Sequence, residues 1–203
     1  MAITTYDELQ TAIASWLARS DLTSNIPDFI TLFEAWVNRN LRVREMETVL
    51  SFTTTDGSRN LPDDYLAWRR MTFEGSTQIA LEYVTPDMLT RFTPNADDGT
   101  PRIFTIEGGT IRVRPVDDDT DLTFTYYAKV PVLADETDGT NWLLDAHPDL
   151  YLAGSLVEAN AFLLNPEHAQ LWATKRDMIV DEIARLSEKT KGPSAIRPVG
   201  PVF

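Results

Sequence analysis

An α+β fold follows from three features of the sequence. Apolar residues recur at helical spacing near both ends of the chain, whereas the middle alternates with the two-residue period of strands. Clusters of turn-forming residues, Asp56-Gly57, Gly75-Ser76, Gly108-Gly109 and Asp117 to Thr120, punctuate that middle. With 203 residues, 43% hydrophobic and 24% charged, the chain is long and apolar enough to bury a core. The expected architecture is a four-helix arrangement drawn from both chain ends, packed with a central antiparallel β region and followed by an extended C-terminal arm. Residues 1–190 then form a single domain, with helices at about 5–19, 26–43, 147–165 and 166–190 around a β-rich insert at about 47–130, and 191–203 form the arm.

The helices are justified in turn. Thr5 followed three residues later by Glu8 is a capping-box pattern, and Leu9, Ile13, Trp16 and Leu17 continue at helical spacing until Arg19-Ser20-Asp21 interrupts. Pro27 suits the first turn of a second helix, whose apolar stripe is Phe29, Phe33, Trp36, Val37 and Leu41. The short link between these two predicts an antiparallel hairpin. His147-Pro148-Asp149 opens a third helix that is apolar almost all round, through Leu150, Leu152, Leu156, Val157, Phe162 and Leu163. Such a helix is buried on several faces, within the fold or between subunits, which makes Leu152, Leu156 and Phe162 subunit-interface candidates. Pro166 opens the fourth, with Trp172, Ile179, Ile183 and Leu186 on one stripe, and Gly192-Pro193 stops it.

Strands are expected at 48–55, 66–73 and 78–84, the last running into a short helix capped by Thr85-Pro86-Asp87 and ending near Phe92. After a loop over 94–101, Gly108-Gly109 joins two arms as a two-residue hairpin turn that needs positive φ. In its second arm Ile111 and Val113 point to one face and Arg112 and Arg114 to the other. A third strand, Leu122 to Tyr126, alternates as cleanly. Three such strands need cover for their apolar face, and the helices are the expected cover.

Composition excludes several kinds of chemistry. There is no cysteine, hence no disulfide, thiolate catalysis or sulfur-built zinc site. The two histidines, His147 and His168, belong to no H-E-x-x-H or G-x-S-x-G pattern, and capping or surface placement is the expectation for both. Asp117, Asp119 and Asp121 have the spacing that opens a calcium loop. Leu122 and Ala128, however, stand where glycine and the bidentate glutamate belong, so a solvated turn is the better reading. Among 31 acidic residues some pair could stand at glycosidase distance, without positive support from any motif. No catalytic residue, metal or cofactor is therefore assigned. A net charge of −13 argues against gripping nucleic acid, although a surface that DNA slides past should not hold it. No apolar run is long enough to span a membrane and no secretory signal opens the chain, so cytoplasmic synthesis is expected.

Two clusters invite a partner. Arg39, Arg42 and Arg44 leave the second helix together, either as favourable charge at a helix C-terminus or to pair with acids of a neighbouring subunit. From Lys189 onward the chain carries Lys189, Lys191 and Arg197 and no acid, with Ile196, Val199, Val202 and Phe203 among Pro193, Pro198 and Pro201. This segment is either a frayed terminus or an extended arm that anchors on a partner.

In order along the chain, several segments resemble the head-to-tail adaptor proteins of tailed phages, in particular the tail accessory factor type of short-tailed phages. They are Tyr6-Asp-Glu-Leu-Gln10, Ile26-Pro-Asp-Phe-Ile30, Asn38 to Met46, Leu61-Pro-Asp-Asp-Tyr-Leu66 with Arg69-Arg-Met71, and Gly99-Thr-Pro-Arg102 before Gly108-Gly109. Tyr126-Tyr127 before Val130-Pro131, Asn141-Trp-Leu-Leu144 and Pro148-Asp-Leu-Tyr-Leu152 complete the likeness, which covers residues 3 to 190. The resemblance implies a non-enzymatic virion subunit, synthesised in the host cytoplasm, in a homo-oligomeric, dodecameric ring at the head-tail junction. Such a ring extends the portal channel, passes DNA without specific binding, and meets tail nozzle or tail tube components below. It also implies a portal-binding arm, here Lys191, Ile196, Arg197, Pro198, Val199, Val202 and Phe203. The competing functions are a virion-associated cell-wall hydrolase and a tail-completion or stopper protein.

Overall fold

Strand and helix periods segregate along the chain, and the fold segregates with them. In the computed structural model, which describes residues 3–75, 77–92, 99–115 and 119–190, the chain divides into a helical unit (1–45 with 130–203) and a β unit (46–129). The expected arm lies outside the described residues.

The helical unit begins with α1 (Tyr6–Leu17) and α2 (Ile26–Asn40) and resumes with α4 (Trp142–Ala146), α5 (Pro148–Phe162) and α6 (Pro166–Thr190); α3 belongs to the other unit. Thr5 caps α1 by accepting from the Glu8 N–H, while the Glu8 carboxylate turns back to the N–H of Thr4 at 2.8 Å, one residue before the cap. These bonds to Thr4 hold the Glu8 carboxyl below its ordinary pKa. Ala18, left-handed at φ 50°, ends the helix just before Arg19 and Asp21 pair with each other. Pro27 sits in the first turn of α2, which stops at Asn40 because Leu41 is extended. The broadly apolar α5 is central: α1, α2, α4 and α6 all pack against it. Leu150, Leu152, Leu156 and Ala159 are buried, and Gly154 lets the Phe33 ring of α2 approach so closely that a Cβ there would overlap it. In α6, Ile183 is buried as expected, but Leu186 is 52% exposed. The inward face is centred on Arg176, Ile183 and Ser187, and Leu186 lies too far round the helix to join it.

The β unit holds β1 (Glu47–Thr54), β2 (Ser58–Asn60), β3 (Tyr65–Glu74), β4 (Gln78–Ala80), β5 (Glu82–Tyr83), α3 (Pro86–Phe92), β6 (Ile103–Glu107), β7 (Thr110–Arg114) and β8 (Thr120–Ala128). One sheet runs β1-β8-β3-β4 and the other β2-β7-β6-β5. The Gly108-Gly109 hairpin forms as expected, with φ 58° and 79° and Glu107 opposite Thr110. Three expectations need correction. The strand after the hairpin does not join it: Pro115, with no N–H to offer a ladder, follows β7, and β8 pairs instead with β1 and β3 in the first sheet. The stretch 78–84 is two strands in different sheets, and β5 pairs with β6 in parallel, so the β region is not wholly antiparallel. The apolar face of the hairpin is covered from within the unit. Phe104, Ile111 and Val113 of one sheet share a core with Phe52, Met71, Leu122 and Phe124 of the other.

Candidate functional site

The residues with most chemical reach are dispersed. His147 ends α4 and precedes α5, its N–H bonded to the Leu143 carbonyl at 2.8 Å. His168 is exposed in the first turn of α6, its N–H directed to Asn165 Oδ1 at 3.3 Å. Asp117 and Asp118 lie outside the described residues, and Asp121 accepts a hydrogen bond from Thr53 across the β1–β8 ladder. Among the described residues no three His, Cys, Asp or Glu side chains stand close enough to share a metal ion.

One carboxylate stands apart. Glu34 of α2 is only 5% exposed and lies in the helical interior. Its Oε1 accepts from the Leu133 N–H at 2.9 Å and from the Tyr151 hydroxyl at 3.1 Å. Asn141 extends the network: its Nδ2 donates to Tyr151 Oη and to the Pro131 carbonyl, each at 2.8 Å, while its Oδ1 accepts from the Leu144 N–H and caps α4. Four residues further along α2, Asn38 Oδ1 accepts from the Val130 N–H at 2.9 Å. Burial pushes the Glu34 carboxyl above the usual carboxylate range, against the opposing pull of its two donors. Burial and the neighbouring Glu34 likewise raise the Tyr151 phenol. Every polar atom named here ends on the chain itself, so the arrangement fastens the segment 130–141 to α2 and α5 instead of presenting an acid to a substrate. The sequence reading missed it. Its signal was Glu34 falling on the same helical stripe as Ile30, Val37 and Leu41.

The interface candidates fall into two groups. Arg42 turns back on its own helix end, its guanidinium donating to the carbonyls of Asn38, at 2.8 Å, and Leu41. Arg39 and Arg44 are exposed, and the Arg44 N–H bonds Ser187 Oγ of α6 at 3.1 Å. Leu152 and Leu156 are interior to the helical unit, so packing within one chain already accounts for them. Phe162 is different, being 55% exposed while its ring packs against Phe29. Beside it, Leu164 is 89% exposed at φ 54° and lines an apolar groove of about 580 Å³ with Val157, Ala161, Ala169 and Ala173. Trp16, expected inward, is exposed and meets Trp172 with the two rings nearly perpendicular, and the Trp172 ring also carries Lys175 at 5.1 Å. Arg176 stacks 3.9 Å over Trp36.

A surface of arginines, exposed apolar side chains and an open groove, beside polar groups that bond inward, is suited to contact with other proteins. The family model described as SU10 adaptor protein matches residues 4–199. The chain belongs to the SU10 adaptor family. The match runs through both units and as far as residue 199. No curated protein matches the chain. As an SU10 adaptor it is a phage adaptor and a virion component, and its family is structural. Association with portal and tail components follows in general terms from that membership. No helix among the described residues of the adaptor is long and apolar enough to cross a membrane.

Proposed function

We propose that this adaptor is a subunit of a dodecameric ring beneath the portal, extending the DNA channel and receiving nozzle or tube components below. The observation that carries the proposal is the extent of the family match, which includes the helical unit, the β unit and residues 191–199. Residues 1–190 serve as the ring-forming body and 191–203 as the arm that attaches it to the portal. Phe162, with the adjoining Leu164, and the exposed Arg39 and Arg44 are the contact residues toward neighbouring subunits. Twelve copies at −13 would sum to about −156, a charge that lets DNA pass a channel wall without adhering. The adaptor acts without catalysing a reaction.

Electron microscopy of the protein mixed with its portal tests the proposal, and rings seated on the portal are the expected result. Failure to form them sinks it. Removal of residues 193–203 should abolish attachment while leaving the circular dichroism spectrum unchanged. Undiminished attachment would refute the role given to the arm.

A further inference from the structure

Helix α6 holds to the helical unit by its inward face and leaves an apolar row on the face opposite. Leu171, Met178 and Leu186 are 65%, 68% and 52% exposed and stand seven and eight residues apart, so they fall in line along the helix. Single exposed apolar residues are ordinary on protein surfaces; a row of three along one helix is a patch. Two exposed charges stand within the row, Lys175 between Leu171 and Met178, and Glu182 between Met178 and Leu186. Among the described residues neither forms an ion pair: Arg185 and Arg176 turn to Asp181 and Asp177, and Lys175 lies over the Trp172 ring.

Turned end for end, the row keeps its pattern with the two charges exchanged. In order it runs leucine, lysine, methionine, glutamate, leucine. It is therefore complementary to a copy of itself laid antiparallel, as a contact about a two-fold axis requires. With Leu171 level with the partner's Leu186, Lys175 is level with the partner's Glu182, and Met178 lies about 1.5 Å from the level of the partner's Met178. The ion pair occurs twice by symmetry. A parallel pair in register would instead set each lysine and each glutamate beside its own copy, and such flanking charges decide orientation between helices. The row also carries no net charge on a chain of −13, so two copies can approach there without the repulsion that opposes contact elsewhere.

We propose that two copies of this chain pair through the outer faces of α6, antiparallel about a two-fold axis beside Met178, with Lys175 of each against Glu182 of the other. In a cyclic ring every copy has the same polarity, so a two-fold partner is not a ring neighbour. The pair is a form of the adaptor before assembly, opened when the ring forms on the portal. That consequence rests on the ring reading; the pairing does not.

Sedimentation velocity of the full chain tests the pairing. The contact follows about 22 Å of helix, short for a specific interface, so dimers are expected at about 100 μM protein and not at nanomolar concentrations. A chain that stays monomeric there overturns the proposal. Lys175→Glu alone and Glu182→Lys alone each set like charges together and should weaken pairing about tenfold, and both changes in one chain should restore it. Single variants that pair like the native chain, or a double variant that does not recover, overturn it. A second measurement leaves the charges alone and uses the absence of native cysteine: Met178→Cys should oxidise to a dimer about tenfold faster than Gln170→Cys, which is exposed on α6 but off the row. Equal rates overturn the proposal. Disulfide-linked Met178→Cys pairs should then seat on portals about tenfold less than the same protein reduced, since their competent state is depleted. If they seat equally well, the opening on the portal is refuted and the pairing stands; if the reduced protein does not seat either, it is the ring reading that fails.

Discussion

Leu164 stands where a helix ending of this kind takes glycine. Asn165 donates its N–H to the Asn160 carbonyl and Leu164 to that of Ala161, the Schellman pair, with Leu164 at the left-handed position. A leucine there is strained and, at 89% exposure, buries almost nothing within its own chain to offset the strain. Leu164→Gly should therefore stabilise the isolated subunit, by about 1 kcal/mol in urea denaturation. If Leu164 contacts a neighbouring subunit, the same substitution should weaken ring formation, and a variant that is both stabler and fully assembling would remove Leu164 from the interface. Glu34 offers a second prediction. Its folded pKa lies above its unfolded one, so the folded chain binds the extra proton and stability falls as pH rises through that window. The penalty is absent below the unfolded value and complete above the folded one. Glu34→Gln keeps an oxygen for Leu133 and Tyr151 but cannot ionise. As pH rises above the ordinary carboxylate range, its stability relative to the native chain should improve. A parallel dependence in both proteins would show that Glu34 does not titrate in this range.

Gly154 is the clearest case of one residue setting the packing of an element. Glycine inside a helix is costly, and here the vacancy is filled by the Phe33 ring, itself buried between Trp36 and Tyr151. Since the ring has nowhere to move, Gly154→Ala should separate α5 from α2 and destabilise by about 1–3 kcal/mol in thermal or urea unfolding. An unchanged midpoint would mean that Phe33 repacks freely. This requirement was not legible in the sequence, where Gly154 reads only as a small residue in an apolar helix. What was legible had a local cause: the Thr5 cap, Pro27 in the first turn of α2, and the positive φ angles at Gly108 and Gly109. The elements missed were too short to show a period. Helix α4 spans five residues, its one signal being the Asn141 cap, and β2 and β5 span three and two. The site was legible in the same degree. Phe162 and the arginine cluster are candidates that the sequence alone suggests, whereas Leu164 draws its interest from a backbone angle and a helix ending that follow only from the three-dimensional arrangement.

The alternation of β7 and β8 specified which side chains are buried but not what buries them, because that depends on strand order between distant segments. The two sheets cover each other in the β unit, and α5 gathers the remaining long helices in the helical unit. The apolar side chains left exposed, Phe162 and Leu164 among them, are then set against net charge in assembly. In the proposed ring, bringing twelve subunits of −13 together would cost repulsion that salt screens, the Debye length falling from about 10 Å at 0.1 M to about 3 Å at 1 M. If apolar contacts around Phe162 and Leu164 hold the ring, subunit association on the portal should strengthen between about 0.1 and 0.5 M salt, measured by sedimentation velocity. If instead Arg39 and Arg44 pair with acids of the neighbouring copy, the same titration should weaken association, and charge reversal at Arg39 should remove that weakening. Arg42 should matter least, because its guanidinium is already committed to the carbonyls at the end of its own helix. The sign of the salt dependence therefore separates the two candidate interfaces, one at each end of α2.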